Sequence, residues 1–240
     1  MQRYASEDPL PTGGRSPAHP LVPGTPHHVT QRGNRRQQVF FGEADYRAYL
    51  DLLAEHTRKA GVAVWAWCLM PNHVHLMLLP PTADALRAAL GETHRRYSRA
   101  VNQREGWRGY LFQGRFASCP MDEPHALAAA RYIEQNPVRA RLVAKPEEWP
   151  WSSARAHLTG RSDGLTDIEA LGGLVGGWEA FLGSRLDDAG LEAIRRGERT
   201  GRPLGDAGFV QRLEASTGRQ LARRKRGPRP RPQAEEQGAR

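Results

Sequence analysis

The sequence predicts an α+β domain of the ferredoxin-like, split βαβ kind, with a central antiparallel sheet. Three observations predict it. Two apolar runs, VAVWAWCLM (62–70) and HVHLMLL (73–79), are separated only by Pro71-Asn72, which is hairpin spacing. A segment of helical periodicity precedes the pair and another follows it, over 43–60 and 84–101. Shorter strand-like runs, HHVTQRG (27–33) and GRFASCPM (114–121), open and close the series. The order is therefore strand, helix, strand, strand, helix, strand.

Each element has its own warrant. HHVTQRG is short, rich in β-formers and stopped by Gly33. Over Glu43 to Ala60, Tyr46, Tyr49, Leu50 and Leu53 recur at helical spacing, and Gly61 stands where a helix stops. In the second helix Leu86, Leu90, Thr93 and Tyr97 form one face, while Arg87, Arg95, Ser98 and Asn102 form the other. Pro124 suits the first turn of a third helix running to about Gln135. EWPWSSARAHL (148–158) reads as a packing appendage, since Trp149 and Trp151 need a surface to bury against.

Outside this core the patterning weakens. Residues 1–24 are rich in Pro and Gly, and a disordered or loosely attached leader is expected there. Residues 25–158 are the expected catalytic unit, and 159–218 a weakly structured helical extension with short helices near 186–196 and 206–216. Residues 219–240, containing RRKRGPRPRPQ, read as a basic disordered tail. No internal repeat occurs.

Charge and cysteine content narrow the class. The 240 residues carry a formal net charge of +9 and a pI near 10.2, which points to a polyanionic partner. Eight Lys/Arg against two Glu give +6 in 219–240 and leave +3 for the rest, so the core must show a basic patch of its own. Two cysteines, Cys68 and Cys119, make neither a disulfide framework nor a Cys-based zinc site. With no signal-peptide pattern and no apolar run long enough to span a membrane, the expected location is the cytoplasm.

The chemistry concentrates in three places. In MPNHVHLMLLP (70–80), strand alternation points His73 and His75 to one face and Val74 and Leu76 to the other. Two imidazoles side by side can chelate one metal ion, or be two histidines of a solvated face. In RYIEQNPVRARLV (131–143), Tyr132 and Asn136 are four apart and share a helix face. Asn136 offers an amide oxygen to a hard cation, although Pro137 makes it the last helical residue or the cap. Tyr132 can attack phosphorus once a metal ion lowers its barrier, or be an ordinary residue at the core edge. Finally, 87–116 interleaves seven arginines, Arg95, Arg99 and Arg115 among them, with Tyr97, Trp107, Tyr110, Phe112 and Phe116. Arginines for phosphates and rings for bases suit single-stranded nucleic acid. QRGNRRQQ (31–38) adds Arg32, Arg35 and Arg36. A histidine-triad hydrolase is excluded by Met77, where a third histidine would stand, and a two-histidine phosphodiesterase by the lack of two His-x-Thr/Ser motifs.

Taken in order, PHHVTQRGNRRQQVFF (26–41), CLMPNHVHLMLLP (68–80), LFQGRF (111–116), RYIEQNPVRARLV (131–143) and WPWSS (149–153) resemble the HUH single-tyrosine transposases, specifically the REP-associated tyrosine transposases. GRPLG (201–205) is similar to that branch's C-terminal extension. The resemblance implies His73 and His75 as metal ligands, Asn136 as the third ligand and Tyr132 as the nucleophile. It implies Mg²⁺ or Mn²⁺, hairpin-bearing single-stranded DNA as the partner, no nucleotide cofactor and no membrane, in a monomer or homodimer. Arg32, Arg35, Arg36, Arg95, Arg99 and Arg115 are the expected DNA contacts. Two other readings remain open: a hairpin-binding regulator without turnover, and a metal-dependent nuclease with a water nucleophile.

Overall fold

The computed structural model describes residues 21–222. Four strands, β1 (His27–Arg32), β2 (Ala63–Met70), β3 (His73–Leu79) and β4 (Ala117–Pro120), form one antiparallel sheet in the order β2-β3-β1-β4. That order, with a helix between β1 and β2 and another between β3 and β4, is the split βαβ arrangement.

The sheet has two differently covered faces. On one, Val29, Val74, Leu76, Leu78 and Leu69 pack against α1 (Glu43–Ala60) and α2 (Ala85–Glu105). The apolar stripe expected for α2 is all buried: Leu86, Leu90, Thr93 and Tyr97. The helix runs further than the spacing predicts, to Glu105, and stops at Gly106 with φ 66°, a left-handed cap that glycine takes without strain. On the other face, Ala66, Cys68, Met70 and Met77 meet α3 (Glu123–Glu134) and elements from the C-terminal third. Asp122 caps α3 by accepting from the His125 amide at 3.1 Å, and Pro124 sits in its first turn as expected.

Four sequence expectations are corrected. The leader is not loose throughout, because Val22 is buried and the Gly24 amide donates to the Pro80 carbonyl at 2.9 Å. Residues 1–20 and 223–240, which hold the rest of the leader and most of the basic tail, lie outside the described residues. β4 is shorter than GRFASCPM suggests, since the chain before it is drawn to another partner. Asn34 donates to the Leu111 carbonyl and Gln113 to that of Arg32, each at 2.8 Å. The stretch after 160 is more regular than expected: beside the two helices expected there, it forms two more, giving α6 (Glu169–Gly172), α7 (Trp178–Gly183), α8 (Asp188–Thr200) and α9 (Ala207–Thr217). Lastly, Asn136 does not end a helix but opens the short α4 (Asn136–Arg139), where Pro137 occupies a first-turn position that needs no amide hydrogen.

The tryptophan appendage finds its surface at the sheet edge. Leu69 donates to the Trp151 carbonyl at 2.8 Å, and Trp149 Nε1 donates to the Leu69 carbonyl at 3.0 Å. Trp151 also stacks on Tyr46 with ring centroids 4.6 Å apart. This covers the outer side of β2, an edge that would otherwise offer unpaired backbone groups. The chain then enters α5 (Ala154–Thr159).

Candidate metal and nucleophile site

Strand pairing builds the first half of the site. In the β1–β3 ladder His75 lies opposite Thr30 and His73 opposite Arg32, so His28, Thr30 and Arg32 share a face with His73 and His75. All three histidines are buried. Burial lowers the pKa of His28 to about 3, with Arg139 adding to the effect. His73 and His75 are held well below the ordinary histidine value, first by burial and then by neighbouring charge that includes Arg32 and Arg139. At neutral pH the rings are therefore uncharged, the form that ligates metals.

α3 supplies the second half. Tyr132 is buried, its ring centroid 5.7 Å from that of His75 and 6.0 Å from that of His28, edge-on to both. The Arg139 guanidinium carbon lies 4.0 Å from the centroid of the Tyr132 ring. One turn after Tyr132, Asn136 is 2% exposed, and its Nδ2 has no hydrogen-bond partner among the described residues.

These donors suit a divalent cation. His73 Nδ1 bonds Asn72 Oδ1 at 2.5 Å, while its Nε2 is buried without a hydrogen-bond partner among the described residues. A buried imidazole nitrogen left free beside a second histidine is able to take a metal ion. His75 Nδ1 faces two groups, His28 Nε2 at 3.1 Å and Glu198 Oε1 at 3.3 Å. His28, His75 and Glu198 each bring one donor atom within 4.8 Å of the others, a second grouping able to hold a metal. Neither His28 nor Glu198 is among the ligands expected from sequence. His28 is legible in principle, since alternation from Thr30 puts it on the histidine face. Glu198 carries no local signal, as it arrives on α8 from 123 residues beyond His75 (198 − 75).

The anchors of α3 are as specific as its payload. Glu134 is fully buried and accepts from Ser153 Oγ and, at 2.6 Å, from His157 Nδ1. Ser153 is in turn tied to β2, its amide donating to the Trp67 carbonyl at 3.0 Å. His157 stacks on Trp178 of α7 at 4.0 Å, and Arg131 lies 4.2 Å over Phe181.

The expected DNA-contacting arginines separate into two places. Arg32, Arg35, Arg36 and Arg115 gather where β1, β3 and β4 meet their loops at the His73 end of the sheet. Arg35 and Arg36 have φ of 51° and 62°, and the Arg36 carbonyl accepts from Asn72 Nδ2 at 3.3 Å. Arg95 and Arg99 are exposed on α2, which covers the opposite face, and Arg95 is paired to Glu92 at 2.6 Å. The aromatics divide likewise. Tyr97 and Phe112 are core, whereas Tyr110 is 85% exposed and Trp107 42%.

Comparison with known proteins gives this geometry a family. Residues 22–136 match the family model described as transposase IS200 like. None of the curated proteins matches. Among solved structures, a REP-associated tyrosine transposase bound to a REP hairpin matches at 20% identity with a TM-score of 0.51, covering 70% of this chain and 90% of that one. A Deinococcus radiodurans R1 protein described as a candidate transposase is 25% identical over 52% of this chain and 96% of that one, with a TM-score of 0.36. The first of these shares the α+β fold built on this four-stranded antiparallel sheet. The matched residues, 22–136, span the sheet, its histidines and Tyr132, and over them the chain is similar to the IS200-like transposases.

Proposed function

We propose that this protein cleaves and rejoins single-stranded DNA beside hairpins through a covalent 5′-phosphotyrosine on Tyr132, in the manner of the REP-associated branch. The observation that carries the reading is the seating of Tyr132 edge-on to His75 at 5.7 Å, with Asn136 one turn further along. His73, His75 and Asn136 would hold a divalent cation, Mg²⁺ or Mn²⁺. A mixed imidazole and amide set accommodates either, the oxygen donor being what Mg²⁺ requires. When bound, the cation polarises a non-bridging oxygen of the scissile phosphate and draws negative charge from it.

The protein's own residues do the rest. The Tyr132 oxygen attacks phosphorus, forming a P–O bond as the bond from phosphorus to the 3′-oxygen breaks. The proton that the phenol loses ends on the departing 3′-oxygen, and the 5′ side of the strand stays on the enzyme. An ester is exchanged for an ester, so another 3′-hydroxyl can reverse the step without ATP. Arg139, stacked on the Tyr132 ring, holds the ring in place for the attack. Arg32, Arg35, Arg36 and Arg115, with the exposed Tyr110 close by in sequence, offer phosphate contacts and a stacking surface at the His73 end of the sheet. The hairpin in the related complex belongs to that protein, and it supports a hairpin substrate here.

The test uses a hairpin-bearing single strand labelled 3′ of the cut, incubated with protein and Mn²⁺ or Mg²⁺. On a denaturing gel the wild type should carry label and Tyr132→Phe should carry none, with hairpin binding nearly intact. Cleavage without an adduct would instead support a water nucleophile. Binding without cleavage at any metal concentration would support a silent DNA-binding regulator.

A further inference from the structure

α8 lies outside the sheet and outside the helix that carries Tyr132, yet it reaches the histidines. Gly197 permits the approach. A Cβ there would stand 2.9 Å from both Cys119 Sγ and Leu204 Cδ1, closer than such atoms come without one of them moving. One residue later, Glu198 puts Oε1 3.3 Å from His75 Nδ1 and 3.6 Å from His28 Nε2.

A carboxylate at that distance selects where the imidazole keeps its proton. With the proton on Nδ1, an N–H dipole meets the negative charge. With it on Nε2, a nitrogen lone pair faces the charge instead. The first state leaves Nε2 unprotonated for a metal. His73 is arranged alike, since its Nδ1 faces the acceptor Asn72 Oδ1 at 2.5 Å and its Nε2 is the buried orphan. His28 Nε2, 3.1 Å from His75 Nδ1, accepts from the same N–H. Direct ligation by His28, His75 and Glu198 would consume His75 Nδ1 and leave His73 Nε2 buried without a partner among the described residues.

We propose that Glu198 is a positioning residue: its carboxylate holds His75 with the proton on Nδ1, so that Nε2 joins His73 and Asn136 around one divalent cation. This rests on the metal reading above. A carboxylate behind a ligating histidine fixes the ring and strengthens it as a donor, and its loss usually weakens metal binding by about 10- to 100-fold. The C-terminal extension thus contributes to the metal site without touching the metal.

The experiment uses full-length, metal-free protein and two readouts that need no DNA. In ¹⁵N-histidine NMR, His75 should be protonated at Nδ1 in the wild type and shift toward Nε2–H in Glu198→Ala. In Mn²⁺ titrations followed by electron paramagnetic resonance, Glu198→Gln should bind about tenfold or more weakly, and Glu198→Asp should recover part of the loss. His73→Ala should bind worse than either. Gly197→Ala, which keeps the carboxylate but pushes α8 outward, should resemble Glu198→Gln. Unchanged or tighter Mn²⁺ binding in Glu198→Gln would overturn the proposal and make α8 a cover. Full Mn²⁺ affinity in His73→Ala beside a large loss in Glu198→Gln would also overturn it, by making Glu198 a direct ligand. A wild type that binds no Mn²⁺ would remove the metal reading itself.

Discussion

Single side chains decide whether this site works, and two of them give a direct test. His73→Ala or His75→Ala should abolish divalent-dependent cleavage of a hairpin strand, since each leaves too few ligands, while gel-shift affinity for the hairpin stays near wild type. Cleavage that survives both substitutions would end the metal assignment and leave the buried pair a packing role only. A different histidine sets a pH limit on stability. His27 is buried between Ser118 Oγ, 2.8 Å from Nδ1, and the Val22 backbone, and burial lowers its pKa from 6.5 to about 4. As pH falls, the unfolded chain therefore takes up this proton before the folded one does. The contribution is complete above about pH 6.5 and shrinks between 6.5 and 4, by up to about 1.4 kcal/mol per pH unit. Urea unfolding at pH 7.5, 5.5 and 4.5 should show this slope, and His27→Gln should flatten it by one proton's share. Legibility at this scale follows from local geometry. His73 with His75, and Tyr132 with Asn136, are pairs that alternation and helical spacing align, so the sequence displays them. Glu198 meets His75 only because one helix docks on another element, which no spacing encodes. Arg95 and Arg99 show the same gap, because periodicity identifies the exposed face of α2 but not which side of the sheet that helix covers.

Elements show how Tyr132 is held still. α3 is anchored by Glu134, whose carboxylate joins Ser153 on the strap along β2 to His157 on α5. Removing Glu134 leaves the Ser153 hydroxyl and His157 Nδ1 buried without their acceptor, so Glu134→Ala should cost about 3 kcal/mol in urea unfolding, with Glu134→Gln losing less. A wild-type midpoint in Glu134→Ala would mean that the aromatic contacts of α7 alone hold α3. Which elements the sequence reveals depends on their length. α1, α2, β2 and β3 are long enough to show their period. α8 and α9 are visible at their starts because Asp187 and Asp206 cap them, accepting from the amides of Gly190 at 2.7 Å and Phe209 at 2.6 Å. α6 and α7 hold four and six residues, too few for a pattern to emerge. β4 is shorter than the expected 114–121 because the chain leaves its pairing at 111–113 with the end of β1 and turns at Gly114, φ 51°, before it joins the sheet.

Across the whole molecule, charge is divided between a fixed rim and a tail. Residues 223–240 hold seven Lys/Arg and two Glu, a net +5. Deleting them should weaken hairpin and random single strands alike and flatten the salt dependence of binding, by about 0.7 in log–log slope for each phosphate no longer neutralised. Preference for hairpins should survive, and its disappearance at an unchanged salt slope would mean that the tail reads the substrate. The fold explains the expected division of labour, since the rim sits on backbone fixed by β1, β3 and the 111–113 bridge. Chain order has a further bearing on the site, through the way the protein is made. The parts proposed for it arrive at residues 73–75, 132–136 and 198, so the ligands leave the ribosome first, the nucleophile next and the orienting carboxylate last. At about 5–20 residues per second, the 123 residues between His75 and Glu198 take roughly 6–25 s to add. During that interval the nascent chain has its histidines and then Tyr132, but not the carboxylate proposed to align them. On that proposal a ribosome-bound chain holds a metal ion weakly until its last third has been synthesised and folded.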